Sequence, residues 1–229
     1  MTESHTGSLD ICVVGGTGAE GSGLAMRWAR AGHRVTIGSR DAAKAAAAAT
    51  ELNQKLGEPL ICGTASEAAV AGADVVVLTV PYAAQMATAT GLKDALAGKI
   101  LIDVTVPLVP PKVSRVQLPE TDSCCVALQA ALGETVKVVS AFQNVSAHKL
   151  KDPDKTIDCD VLVTGDDKEA RALAIRLAGD AGLRGIDAGP LANAVVAEAL
   201  TSVLIFINRT YKVPDAGIRI TGIDPPKAE

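Results

Sequence analysis

Ile11-Cys12-Val13-Val14-Gly15-Gly16-Thr17-Gly18-Ala19-Glu20-Gly21 runs from apolar, strand-forming residues straight into a glycine-rich turn, and a helical pattern over residues 22–31 follows it. A turn of this kind lets the backbone reverse tightly and approach a pyrophosphate with no Cβ in the way. The helix behind it then aims its N-terminal amides at the anion. Gly16, Gly18 and Gly21 fit the spacing G-x-G-x-x-G, while Gly15, Gly18 and Gly21 fit the looser G-x-x-G-x-x-G, so spacing alone leaves both open. Its place between a strand and a helix predicts a dinucleotide-phosphate cradle.

The neighbouring segments say which dinucleotide. Residues 34–38 read as the second strand, and at the place where an NAD site would carry an acid for the ribose hydroxyls the chain has Ser39-Arg40. An arginine there pairs bidentately with a 2′-phosphate, Ser39 adds a hydroxyl, and Lys44, one turn into the next helix, adds a point charge. NADP(H) is therefore expected. The plainer reading, solvated charges at a helix start, is disfavoured because cations are mildly destabilising there. Asp41 is placed to cap that helix.

Working outward, the alanine-dense stretch 41–56 is nearly pure helix propensity, 60–62 reads as a short strand and 65–71 as a helix. Residues 74–81 read as a fully buried parallel strand ending in proline, and 99–105 as another. Ligands in such sheets sit at the carboxyl ends of strands, so Thr79, Val80, Pro81, Tyr82 to Ala84, and the exit Val106-Pro107-Leu108 are expected to line the dinucleotide. Beyond Leu108 the prolines at 110, 111 and 119 mark a loop over the active site, followed by a helix around 124–132. Strands at 137–141, 161–163 and 185–187, a helix opened by Asp166-Asp167 and a long helix over 190–211 complete the order. The alternation predicts an α/β fold, a Rossmann-like doubly wound, mostly parallel sheet with a small C-terminal helical part. Residues 9–189 would form the NADP-binding domain, and 190–223 would complete the acceptor cleft.

Composition bounds the function. Across 229 residues, 48% are hydrophobic but only 2% aromatic, and the formal net charge is −4. A nucleic-acid binder needs a basic face and rings for stacking, so that class is excluded from the expectations. Five cysteines, odd in number and without a C-x-x-C pair, read as reduced, mostly buried small hydrophobes of a cytoplasmic protein, with redox chemistry at Cys124-Cys125 disfavoured. With three histidines, His5, His33 and His148, and no H-E-x-x-H, no metal site is expected. His33 is read as a helix cap and His148 as a surface or capping residue. The apolar run 195–207, interrupted by Glu198 and Thr201-Ser202, is shorter than the roughly 20 residues a bilayer requires and reads as a buried helix. Around 200–207 that helix is apolar on more than one face, which predicts a homodimer. The tails, 1–8 and 224–229, read as unstructured.

Six motifs in order carry a family resemblance: Gly15-Gly16-Thr17-Gly18, Ile37-Gly38-Ser39-Arg40, Val77-Leu78-Thr79-Val80-Pro81, Val138-Val139-Ser140-Ala141, Gly165-Asp166-Asp167 and Asp187-Ala188-Gly189-Pro190-Leu191. From about residue 10 to 220 the chain resembles the NADPH-dependent reductases of the deazaflavin coenzyme F-420. The resemblance implies that Thr17, Gly18, Ala19 and Glu20 wrap the pyrophosphate and that Ser39, Arg40 and Lys44 hold the 2′-phosphate. It further implies that Val80 and Ala84 contact the span toward the nicotinamide and that Ala147 lies beside that ring. The deazaflavin would stack on the nicotinamide in a cleft reached by 143–147, 191–193 and 216–217, including Gln143 and Ala216. Direct hydride exchange between two cofactor carbons needs alignment and exclusion of water, not an acid/base dyad, which agrees with the lack of one in the sequence. Where members of that family carry Ala-Leu-His, this chain has Ala141-Phe142-Gln143, and Tyr82 stands where a tryptophan is familiar. Two other readings stay open: NADPH-dependent reduction of an imine, carbonyl or flavin, which needs a proton donor such as His148 or Tyr82, and NADP(H) sensing without turnover.

Overall fold

The computed structural model describes residues 7–223. The expectations for the tails therefore fall, but for residues 7 and 8, outside the described residues, as does His5. Eight strands form one sheet in the order β3-β2-β1-β4-β5-β6-β7-β8. They are β1 (Asp10–Val14), β2 (Arg34–Ser39), β3 (Ile61–Ala65), β4 (Val75–Leu78), β5 (Ile100–Asp103), β6 (Lys137–Ser140), β7 (Asp160–Gly165) and β8 (Arg184–Asp187). The helices are α1 (Ala19–Arg30), α2 (Ala42–Leu56), α3 (Ser66–Ala71), α4 (Tyr82–Gly91), α5 (Lys93–Leu96), α6 (Cys124–Leu132), α7 (Ala147–Leu150), α8 (Lys168–Asp180) and α9 (Ala194–Tyr211).

Strand β1 shows why the sheet sits in the middle. Ile11 and Val13 join a core on one face, packed by α1, α2 and α8, while Cys12 and Val14 join a second core on the other, packed by α3, α4 and α6. Period-two alternation thus reads both faces as apolar, the signature of a sheet covered on both sides. The chain's one tryptophan anchors the first core: Trp28 is fully buried, its Nε1 donates to the Leu177 carbonyl at 2.8 Å, and its ring meets Phe142 edge-on at 5.9 Å.

Strands β1 to β6 are parallel, but β6 and β7 pair antiparallel through Val139–Gly165 and Ser140–Thr164. This single antiparallel pair is what makes the sheet mostly, rather than wholly, parallel, as the sequence alternation led us to expect. The link from β6 to β7 holds only the four-residue α7, too little for a crossover helix, and a strand that returns without one runs the other way.

Local signals behave as the residues dictate. Asp41 caps α2, accepting from the Ala43 and Lys44 amides at 3.0 and 3.2 Å, and Gly57 closes it in the left-handed region. Asp167 caps α8 through Ala170 N at 2.8 Å. His33 caps α1 with its backbone amide, donating to Trp28 O at 3.1 Å, but its side chain does something else. Nδ1 accepts from Leu9 N at 3.2 Å and Nε2 meets Asp180 at 3.0 Å, joining the start of β1 to the end of α8.

Helix α9 corrects one expectation. With the preceding 3-10 turn it makes a 21-residue apolar helix, Leu191–Tyr211, long enough by length and composition alone to cross a membrane, and only 33% of its most apolar window is buried. One face, with Ala194, Ala197, Glu198, Ser202 and Leu204, packs on the domain, while Val196 and Phe206 are each 58% exposed. The helix is half open, not buried.

Candidate active site

A cleft of about 660 Å³ opens at the carboxyl ends of β1, β2, β4 and β5, where the strand order reverses. Its size and position match those of ligand sites in open α/β sheets. One wall is the glycine turn. Gly15 has φ +85°, and a Cβ there would lie 2.8 Å from Val80 Cγ1, so the tight reversal requires glycine on both counts. Gly18 is the N-cap of α1 and offers no side-chain cap, which leaves the first-turn amides of the helix directed at the cleft mouth. At Gly21 a Cβ would fall 2.4 Å from Thr79 Oγ1. Turn, backbone approach and helix packing therefore fall to Gly15, Gly18 and Gly21, the looser of the two spacings, and Gly16 packs behind the turn against Ile37.

A second wall comes from the end of β2. Ser39 Oγ accepts from Asp41 N at 3.2 Å, and Arg40, exposed, makes no ion pair with any described residue. Both line the cleft and also an adjoining depression of about 300 Å³ with Ser66, Thr88 and Leu92. The β4 exit supplies Thr79, Val80, Pro81, Tyr82 and Ala84, the β5 exit supplies Val104, Thr105, Val106 and Leu108, and α7 supplies Ala147.

Thr17, Gly18, Ala19, Glu20, Ser39, Arg40, Thr79, Val80, Pro81, Ala84 and Ala147 thus meet in one cleft. Lys44, Gln143 and Ala216 do not line it. Lys44 is exposed one turn into α2. Gln143 follows Phe142, whose φ of +74° turns the chain inward. Its Nε2 donates to the Asp103 carbonyl at 2.8 Å, and it is 4% exposed. Ala216 hydrogen-bonds Asn208 Oδ1 at 2.8 Å, and a Cβ on its neighbour Gly217 would sit 2.8 Å from Cys159 Sγ, so that segment packs on the β7 side.

Alanine 147 reaches the cleft because α7 is fastened to α1. Gly23 admits the Leu150 backbone, and the buried Arg27 guanidinium donates to the carbonyls of Leu150, Ala181, Lys149, Asp152 and Lys155 at 2.6 to 3.3 Å. All its partners are main-chain oxygens.

Beneath the cleft lies a buried polar floor that sequence reasoning missed. Asp103, at the end of β5, is wholly buried. Its Oδ1 accepts from Thr105 N at 3.0 Å, and Oδ2 is met by Gln85 Nε2 and by Cys125 Sγ at 3.4 Å. Burial pushes its pKa up. Glu20 lines the cleft with its Oε1 enclosed and unpartnered, and burial, with Asp103 nearby, pushes its pKa up to about 8. Behind them Glu198 of α9 accepts from the Cys124 and Cys125 amides and from Ser123 Oγ, holding a carboxylate on the N-terminus of α6. Asp103, Cys124 and Cys125 bring three potential ligand atoms within 4.8 Å of one another. Both thiols have raised pKa values, and both act as hydrogen-bond donors, Cys124 to the Thr105 carbonyl at 3.5 Å and Cys125 to Asp103. Asp103 was hidden because it ends an apolar run. Ser66 and Thr88 gave no signal at all.

Comparison with known proteins agrees with this geometry. Residues 10–107 match the family model described as NADP oxidoreductase coenzyme F420-dependent. The F420-dependent NADP reductase of Methanothermobacter thermautotrophicus is 41% identical over 222 residues, 94% of this chain and 96% of that protein. That of Methanocaldococcus jannaschii is 41% identical over 94% of this chain and its own entire length. A solved structure from Arthrobacter sp. FB24 that carries the name of an F420-dependent NADP reductase superposes with a TM-score of 0.78 at 30% identity, covering 93% of this chain and all of the other.

Proposed function

Because this chain belongs to the F420-dependent NADP reductases, it is an oxidoreductase passing hydride between NADP(H) and coenzyme F-420, and we propose that the exchange takes place in the cleft described above. The observation that carries the reading is the join of a glycine turn closed to a Cβ at Gly15 and Gly21 with an arginine, Arg40, that has no ion-pair partner among the described residues. The amides of the α1 first turn hold the pyrophosphate, and Ser39 and Arg40 hold the 2′-phosphate, Lys44 adding a positive charge from the first turn of α2. Thr79, Val80, Pro81 and Ala84 form the floor under the span toward the nicotinamide, and Ala147 closes the ring end with an apolar contact. When bound, the two cofactors supply the hydride donor and acceptor carbons. The protein supplies their alignment and a wall against water.

Residues 9–189 form the NADP-binding unit in this reading, and 190–223 back the acceptor side. Gln143 and Ala216 act there from behind the wall, Gln143 by fixing the β5 exit through the Asp103 carbonyl. The open face of α9, with Val196, Val203 and Phe206, supports a homodimer, since an apolar stripe of this kind is covered by a second copy. Unpaired cysteines at 12, 62, 124, 125 and 159 favour a cytoplasmic setting, and the acidic net charge speaks against a nucleic-acid partner. Packing of Glu198 into the domain favours α9 as a soluble helix rather than a membrane span.

The test is NADPH oxidation by purified coenzyme F-420, followed at the absorbances of both cofactors, with NADH and FMN as controls. One-for-one bleaching with NADPH is the expected result. Tight NADPH binding without any turnover of F-420 would overturn the acceptor assignment.

A further inference from the structure

Glu20 occupies the second position of α1, directly after the glycine turn, and the resemblance puts it at the pyrophosphate without saying what its carboxyl does there. Its Oε1 is enclosed and meets no donor, and no Lys, Arg or His pairs with it among the described residues. The charged and titratable groups around it are few. Asp103 faces it from β5, Tyr82 of α4 and Arg40 share its cleft, His148 follows the cleft residue Ala147 on α7, and the α6 thiols and Glu198 lie beyond Asp103. Two effects oppose each other. The helix N-terminus favours an anion weakly, whereas leaving one carboxylate oxygen enclosed and without a donor disfavours the charged form more strongly. The second wins, and the direction of the shift, to about 8, agrees.

We propose that Glu20 presents a neutral carboxyl to bound NADP(H), so that the protein holds a proton for as long as the dinucleotide is in place and loses affinity when Glu20 ionises. The proposal rests on the dinucleotide reading of the cleft. A pyrophosphate seated on the α1 amides lies beside this carboxyl, where a second anion would repel it and a carboxylic acid donates a hydrogen bond. Binding then takes up a proton in the range where the free protein has begun to lose it.

The test is calorimetric titration with NADP+ from pH 7 to pH 9, a range over which the 2′-phosphate stays ionised because its second pKa is about 6. Each pH is run in two buffers of different ionisation heat. For the wild type the dissociation constant is expected to rise about tenfold across this range, as the competent fraction falls, and proton uptake on binding should grow toward pH 8 and above. Glu20→Gln, which keeps a neutral donor and has no proton to lose, should show neither slope nor uptake. A flat wild-type profile without proton uptake would overturn the proposal, as would a Gln variant that keeps the wild-type slope. Failure of NADP+ to bind at any pH would overturn the dinucleotide reading first and this inference with it.

Discussion

Asp103 and Asp160 are both fully buried, yet one sits in the middle of the sheet under the cleft and the other at the β7–β8 edge, and they are treated oppositely. Asp160 accepts from Arg184 Nε and Nη2 at 2.7 and 2.5 Å, from Arg219 Nη1 at 3.2 Å and from Ile220 N at 2.6 Å. The Arg184 hydrogen bonds, foremost, hold its pKa below the usual carboxylate range. Asp103 has only neutral hydrogen-bond partners among the described residues, and burial, which those bonds offset only in part, raises its pKa. Neither side chain reaches solvent, but burial prevails at Asp103, where no cation answers it, and is outweighed at Asp160 by the Arg184 guanidinium. At the edge each charge closes on its opposite and ties the C-terminal tail to the sheet. Around the cleft, among the described residues, Arg40 has no ion-pair partner and Glu20 Oε1 has no hydrogen-bond partner, which is the condition for a ligand to complete them.

The sharpest way to break this contrast is Asp160→Asn. Removing one member of a buried ion pair strands Arg184 and should cost about 3–5 kcal/mol of stability, read as a lower urea midpoint at unchanged slope. The wild-type share of that stability is present above the ordinary aspartate pKa of 3.8 and lost as pH falls below it, so the gap between wild type and variant should narrow in acid. Next in size, Arg40→Ala should weaken NADPH far more than NADH, by roughly 1.5–3 kcal/mol in fluorescence titrations. Equal loss for both would remove the 2′-phosphate from this corner.

Glu20 gives a smaller effect of opposite sign to Asp160. Its raised pKa means that its share of stability is complete below about 4.5 and is lost as pH rises toward about 8. In the ligand-free protein Glu20→Gln should therefore gain roughly 1–3 kcal/mol over wild type at pH 8.5, and the difference should fade at pH 4.5, measured by urea unfolding at both. Asp103→Asn should change stability least, by about 1 kcal/mol or less at pH 7, because a neutral amide meets the same partners once Gln85 turns its own amide over. A loss as large as that of Asp160→Asn would show Asp103 to be a working carboxylate and end the comparison.

These two regions were unequally legible in the sequence. The glycine turn, the exits of β4 and β5, Ser39-Arg40 and the caps at Asp41 and Asp167 are local signals, and each stands where its residue type required. Helix α1 begins three residues earlier than its pattern suggested, because Gly18 caps it and Ala19 and Glu20 already belong to its first turn. Helices α4, α5 and α7 went unread. The first carries β-branched threonines and closes on glycine, and the other two are single turns held by tertiary contacts. The polar floor was beyond sequence reasoning for a different reason. Asp103, Gln143, Cys125 and Glu198 lie far apart in the chain, and only the sheet order and the inward turn at Phe142 bring them together.

Arg27 carries a consequence for how the enzyme works. The helix whose first turn faces the phosphates and the segment that presents Ala147 are bolted to each other by one guanidinium and by the seat that Gly23 makes for Leu150. The distance between the first turn of α1 and Ala147 is thus set by main-chain contacts that form as the chain folds.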